Sequence, residues 1–141
     1  MNAISKSLVA AMFVVLPLVI HAADRNPSPE NAEVFISVPK DGDELSNPVV
    51  VKFDIKGMKV AKAGTQAANT GHHHLLIDAE LPALDQPIPK DDNHMHFGGG
   101  QTETTLTLAP GKHTLQLLLG DGNHVPHHPA VVSKVVTITV K

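Results

Sequence analysis

The sequence predicts an all-β domain, an antiparallel β-sandwich of immunoglobulin-like or cupredoxin-like Greek-key type. Three observations lead there. From residue 33 onward apolar residues recur with a period of two, the mark of half-buried strands, and not with the 3.6 of a helix. Clusters of Gly, Pro, Asn and Asp cut the chain into six or seven short runs. No helical stretch interrupts those runs, and a domain of about 115 residues suits a sandwich of this kind.

In chain order, "ADRNPSPENAE" at 23–33 is polar with two prolines and reads as a flexible lead-in. "EVFISV" follows, with Val34, Ile36 and Val38 on one face. "PVVVKFDI" alternates more strictly: Val49, Val51, Phe53 and Ile55 inward, Val50, Lys52 and Asp54 outward. The small-residue connection at 57–71 admits a short edge strand at 58–60. "HHHLLID" is the next strand. Residues 79–100 carry three prolines and three glycines without a sustained period, a long loop of the sort that often carries function. "QTETTLTL", the turn "APGK" and "HTLQLLLGD" read as a hairpin. "GNHVPHHP" is a rigid loop, and "VVTITVK" ends the chain with Val136, Ile138 and Val140 inward.

The first 22 residues stand apart. Lys6 precedes an apolar run at 8–20, and "IHA" at 20–22 fits a cleavage site, so residues 1–22 read as an export signal. The run is too short and too broken by Pro17 for a membrane span. The expected mature protein is periplasmic or secreted, with a flexible lead-in over 23–32, one domain over 33–141 and no membrane span.

Composition removes several classes of function. Without cysteine there are no disulfides, thiolate metal sites, thiol nucleophiles or lipid anchor at the cleavage site. After residue 22 the chain has 10 basic and 14 acidic residues, a balance unsuited to nucleic acid. Tyr and Trp are absent, so an aromatic platform for carbohydrate is not expected. No nucleophile elbow or phosphate loop is present, since "GGG" at 98–100 precedes a strand. No catalytic residues are assigned.

What remains is histidine, nine of them after residue 22 and none between 23 and 71. His72, His73 and His74 open one strand, His94 and His96 end the long loop, His113 begins a strand, and His124, His127 and His128 fill the last loop. Strand alternation puts His72, His74, Leu76 and Asp78 on one face and His73, Leu75 and Ile77 on the other. Residues two apart on a strand are about 6.6 Å apart at the backbone. Two imidazoles there can reach one ion at metal–nitrogen distances near 2 Å. "HMH" at 94–96 repeats the spacing. His113 alternates with leucines and reads as structural. Imidazole without thiolate suits copper or zinc, and Met95 between two histidines tips the balance to copper, its thioether favouring Cu(I). A second reading needs no metal: protonation of all nine histidines between about pH 7 and 5 would swing the formal charge from −4 to +5 and switch a periplasmic partner.

"GHHHLLID", "HFGGGQTETTLTLAPGKHTLQLLLGD" and "NHVPHHP" together resemble an uncharacterised family of small exported bacterial proteins classed as a domain of unknown function. The resemblance runs from "SVPKDGDELSNPVVVKFDIKGM" to "VVTITV". It covers His72, His73, His74, Asp78, His96, Gln101, Glu103, His113, Asp121, His124 and His127, and departs at His94 and His128, where other polar residues are usual. It implies no catalytic assignment. A site common to the family would join His96 to the 72–74 triplet and to His124 and His127. The expected ligands are therefore His72, His74, His96, His124 and His127. His73, His94, His113, His128 and Met95 are secondary candidates, and Asp78 or Asp121 would be outer groups that fix an imidazole tautomer. The expected role is metal binding, delivery or buffering; the alternative is a non-catalytic interaction module with structural or pH-sensing histidines.

Overall fold

A computed structural model describes residues 24–141; the export signal expected at 1–22 lies outside the described residues. Its strands are β1 (Glu33–Val38), β2 (Glu44–Leu45), β3 (Val49–Lys56), β4 (Lys59–Val60), β5 (Thr70–Ile77), β6 (His94–His96), β7 (Glu103–Leu106), β8 (Gly111–Gly120) and β9 (Val136–Val140). No helix occurs among the described residues, and the two sheets form a β-sandwich. One sheet has the order β1-β3-β7 and is antiparallel throughout. The other has the order β2-β9-β8-β5-β4. In it β6 lies antiparallel to β5, and β5 lies antiparallel to β8. The antiparallel expectation fails at two short joints, where β2 runs parallel to β9 and β4 parallel to β5 over two residues each.

Period-two patterning places the core. Val49, Val51 and Phe53 are buried while Val50, Lys52 and Asp54 face out, as the alternation of β3 requires. On β1 the alternation holds for Val34 and Ile36 and then breaks. The register against β3 shifts between Ile36 and Val38, and an extra residue in a strand turns the residues beyond it to the other face. Val38 is accordingly 44% exposed instead of inward. Phe53 packs between the sheets at 4.9 Å from Phe97, ring centre to ring centre, and Leu75, Leu115, Leu117, Leu119 and Ile138 complete the middle of the core.

One further expectation is corrected. β7 and β8 are not a hairpin: β7 pairs with β3 and β8 with β5 and β9, so "APGK" carries the chain from one sheet to the other. A Pro-Gly turn reverses direction equally well within a sheet or across a sandwich, and the free edge of β3 captures β7. The lead-in, over its described residues, lies against the loop at 121–129. Asn26 Nδ2 donates to Asp121 Oδ2 at 2.7 Å, Arg25 Nε to the Pro126 carbonyl at 3.0 Å, and Ser28 Oγ to the Pro129 carbonyl at 2.6 Å. A backbone pair, Ser28 N to His128 O and His128 N to Asn26 O, closes the contact. The segment binds the histidine loop through polar groups, which hydrophobic patterning does not register.

β5 is buried on both faces. Leu75 and Ile77 face the inter-sheet core. Leu76 faces the opposite side, where Ile88 from the long loop and Leu118 cover it, flanked by Leu84 and Val132. The long loop is thus a lid over the outer face of β5, and its edge meets the histidines.

Candidate metal centre

Four imidazoles converge at one end of that outer face. His72 and His74 project there from β5, two residues apart as alternation demands. β6 pairs so that His96 lies opposite His74, which brings a third ring onto the same face. The fourth, His124, comes from the loop after β8. Ring centres are 4.7 Å apart for His72–His74, 4.9 Å for both His72–His96 and His72–His124, 5.1 Å for His74–His96, and 4.7 Å for His96–His124. One nitrogen from each of His72, His74 and His96 lies within 4.8 Å of the others. The Nε2 atoms of His72 and His96 are 3.2 Å apart. Two nitrogens on a tetrahedral ion at about 2.0–2.1 Å would be about 3.3 Å apart.

The surroundings shape this cluster by space more than by hydrogen bonds. A Cβ at Gly120 would stand 2.7 Å from His74 Cε1, and one at Gly98 would stand 2.7 Å from His96 Nε2. Only glycine leaves room for both rings. Nδ1 of His72 and both ring nitrogens of His74 are buried with no hydrogen-bond partner in the protein. Buried polar atoms are ordinarily satisfied, and each one left bare costs about 1–3 kcal/mol. Burial lowers the His72 pKa to about 4, with the neighbouring His124 and His96 adding to the effect. Burial lowers His74 to about 3, with His72, His96 and His124 pushing the same way. His96 is also lowered, chiefly by burial. The rings of His72 and His74 are therefore neutral in mild acid, with lone pairs ready for an ion.

His124 reaches the cluster through an unusual backbone. Its φ is +67°, a left-handed conformation that costs a residue with a Cβ about 1–2 kcal/mol. Asp121 builds the turn that imposes it. Its Oδ1 accepts from the Asn123 and Val125 backbone N–H groups at 2.8 and 3.0 Å, and its Oδ2 accepts from Asn26. Asp121 thus folds the loop and makes no hydrogen bond to an imidazole.

The other candidates are elsewhere. His73 points into the inter-sheet core, edge-on to Phe53 at 4.9 Å, with neither nitrogen partnered; burial lowers its pKa to about 4. Met95 lies opposite Leu75 and packs against the same core, so its thioether faces away from the four rings. His127 is buried beside the lead-in, and its Nε2 donates to the Thr70 carbonyl at 3.1 Å. It supports the loop and is not one of the converging rings. His94 is held through Nδ1 by Asp91 at 2.7 Å, and the exposed His128 accepts from Arg25 at 3.4 Å. His113 sits between Asp78 Oδ2 at 2.7 Å and the Ala109 carbonyl at 2.8 Å. Two acceptors favour the doubly protonated ring, and the Asp78 carboxylate raises the His113 pKa. Asp78 also accepts from Thr114 N, so it secures the start of β8 and not a ligand.

Residues that sequence reasoning passed over prove important here: Gly98 and Gly120 as walls, and Arg25 and Asn26 as the clamp on the loop. "GGG" and the "GDG" at 120–122 were the available signals for the glycines. No pattern marked the clamp.

The family described as Domain of unknown function (DUF4399) matches residues 51–141. The chain belongs to this family. The matched region runs from β3 to the end of β9 and contains all four clustered histidines, whereas Arg25 and Asn26 lie before it. Comparison with curated proteins and with solved structures gives no match.

Proposed function

We propose that the protein binds one transition-metal ion through His72, His74, His96 and His124, and acts in metal binding, delivery or buffering. The observation that carries this is the convergence of His72, His74 and His96, joined by the ring of His124, around buried nitrogens of His72 and His74 that lack any partner in the protein. Neutral imidazoles with no thiolate, thioether or carboxylate among them suit Cu(II) and Zn(II). Copper stays ahead of zinc through the ordinary affinity order of divalent ions, although Met95, facing the core, adds nothing to that preference. The favoured oxidation state accordingly moves from Cu(I) to Cu(II). Export to the periplasm is part of the same reading and rests on residues 1–22.

The wholly pH-driven alternative loses much of its charge swing. His72, His73 and His74 stay neutral from pH 7 to 5 because charging them means burying a cation. Titration of the tag-free mature protein with Cu(II), Cu(I) and Zn(II), followed by calorimetry and metal analysis, tests the proposal. One ion per chain with a Kd below micromolar is expected. Absence of stoichiometric binding of all three ions would sink it.

A further inference from the structure

The four rings are not sealed. A cleft of about 320 Å³ opens onto them, lined by His74, His96 and His124 at its base and by Pro87, Ile88 and Lys90 from the lid. His72 does not line it and stands behind. The cleft is a built feature: Ile88 is buried against Leu76 and Leu118, and its N–H donates to the His124 carbonyl at 2.9 Å. The rim is therefore tied to the loop that carries the fourth ligand. Lys90 is the only side chain of the lining with a permanent charge. No carboxylate lines the cleft; Asp91, next in sequence, is engaged with His94.

Charge balance gives the cleft a purpose. Four neutral imidazoles leave a divalent ion with its full charge in a largely buried place, and an uncompensated buried charge is unfavourable. The two negative charges needed to offset it have no source among the four ligands, and the buried Asp121 carboxylate, whose charge is felt at His72, supplies at most one. Lys90 adds a further positive charge at the entrance. Resting on the metal-binding reading above, we infer that the cleft is an anion subsite: a small anion enters past Pro87 and Ile88, displaces water from the open side of the bound ion, and pairs with Lys90. The exchange is anion for water, with no change of oxidation state and no proton lost. The apolar walls of Pro87 and Ile88 lower the local dielectric and strengthen both attractions. The matching ligands are small monoanions and carboxylates, and the pairing would suit an acidic side chain of a protein that hands over or receives the ion.

Azide is the probe, added to the Cu(II)-loaded protein and read by its charge-transfer absorption and by electron paramagnetic resonance. Saturable binding to one azide per copper is expected, weakening as salt is raised. K90Q lowers azide affinity by up to about fivefold, the range of one exposed charge pair, and K90E lowers it further, with copper stoichiometry unchanged in both. Lys90 is exposed and outside the ligand set, so neither variant threatens the fold. A loaded protein whose spectra ignore azide overturns the anion subsite while leaving metal binding intact. Azide affinity unchanged in K90E removes the role of Lys90. Failure to load copper, zinc or any other ion overturns both readings together.

Discussion

His73 and His74 are neighbours on β5, both fully buried and both kept neutral in mild acid, yet they face different worlds. His73 meets Phe53 and the inter-sheet core, where no other imidazole approaches. His74 meets His72, His96 and His124 across a space kept clear by Gly120. Both rings bear the cost of unpartnered nitrogens. On the outer face the proposed ion would give the arrangement a use, because nitrogens of His72, His74 and His96 lie within reach of one another. On the core face it has none that the surroundings reveal. Burial and a depressed pKa are common to both rings and therefore do not single out a ligand candidate; convergence does.

The sharpest break between the two faces is a pair of substitutions. H72A with H74A is expected to lower metal affinity by more than about 100-fold, beyond the loss seen when only an outer-shell partner is removed, while H73L leaves it within about twofold. Calorimetry on folded samples checks both; equal losses would mean that the two faces are not distinct. Next in size, G120A places a methyl group 2.7 Å from His74 Cε1 and is expected to cost about 1–3 kcal/mol of stability. It also weakens metal binding by about tenfold or more through the displaced ring, measurable by denaturant melts and titration.

The pH dependence of the metal-free protein has a definite sign. His72, His73 and His74 have folded pKa values near or below 4, so between about pH 6.5 and pH 4 the unfolded chain takes up protons that the folded chain refuses. Stability is expected to be full above about pH 6.5 and to fall as the pH drops through that window. His113 acts in the opposite sense: its raised pKa gives stability below about 6.5 that is lost as the pH rises through the folded value. Melting temperature against pH for the wild type, H73L and H113Q separates the two contributions. A wild-type curve flat from 6.5 to 4 would contradict the role of burial. The smallest effect is on the core face itself. H73L replaces an unpartnered imidazole with an apolar side chain and is expected to stabilise the protein by about 1 kcal/mol, with no change in metal stoichiometry.

Much of this was legible from residue types and spacing. Alternation alone separates His73 from His72 and His74, and the inward residues Val49, Val51 and Phe53 of β3 obey the same rule. His96 was likewise within reach, because "HMH" repeats the spacing of "HHH". The choice between His124 and His127 was not. It depends on a left-handed backbone at His124 and on a carbonyl of Thr70 that captures His127 from 57 residues away. The course of the chain after β7 was hidden for a related reason, since "APGK" has the same local chemistry whether the next strand returns to its own sheet or crosses to the other. Asp78 and Asp121 illustrate a third limit. A carboxylate near histidines suggests a ring partner, but both carboxylates accept from backbone N–H groups, and one of them reaches a histidine outside the cluster.

The clamp made by Arg25 and Asn26 has a consequence for the order of events. The bond from Asn26 to Asp121 joins residues 95 positions apart, and contacts of that separation form late because a long loop must first be closed. His72, His74 and His96 belong to adjacent strands of a single ladder and come together as soon as β5 and β6 pair. His124 sits in a turn that Asp121 builds locally and that Asn26 braces from the other end of the domain. If the proposed ion binds, a partly folded chain would offer it three rings. The finished domain offers four. On the proposed metal-binding reading, loosening the brace by N26A is then expected to weaken the hold of the fourth ring while leaving the other three in place.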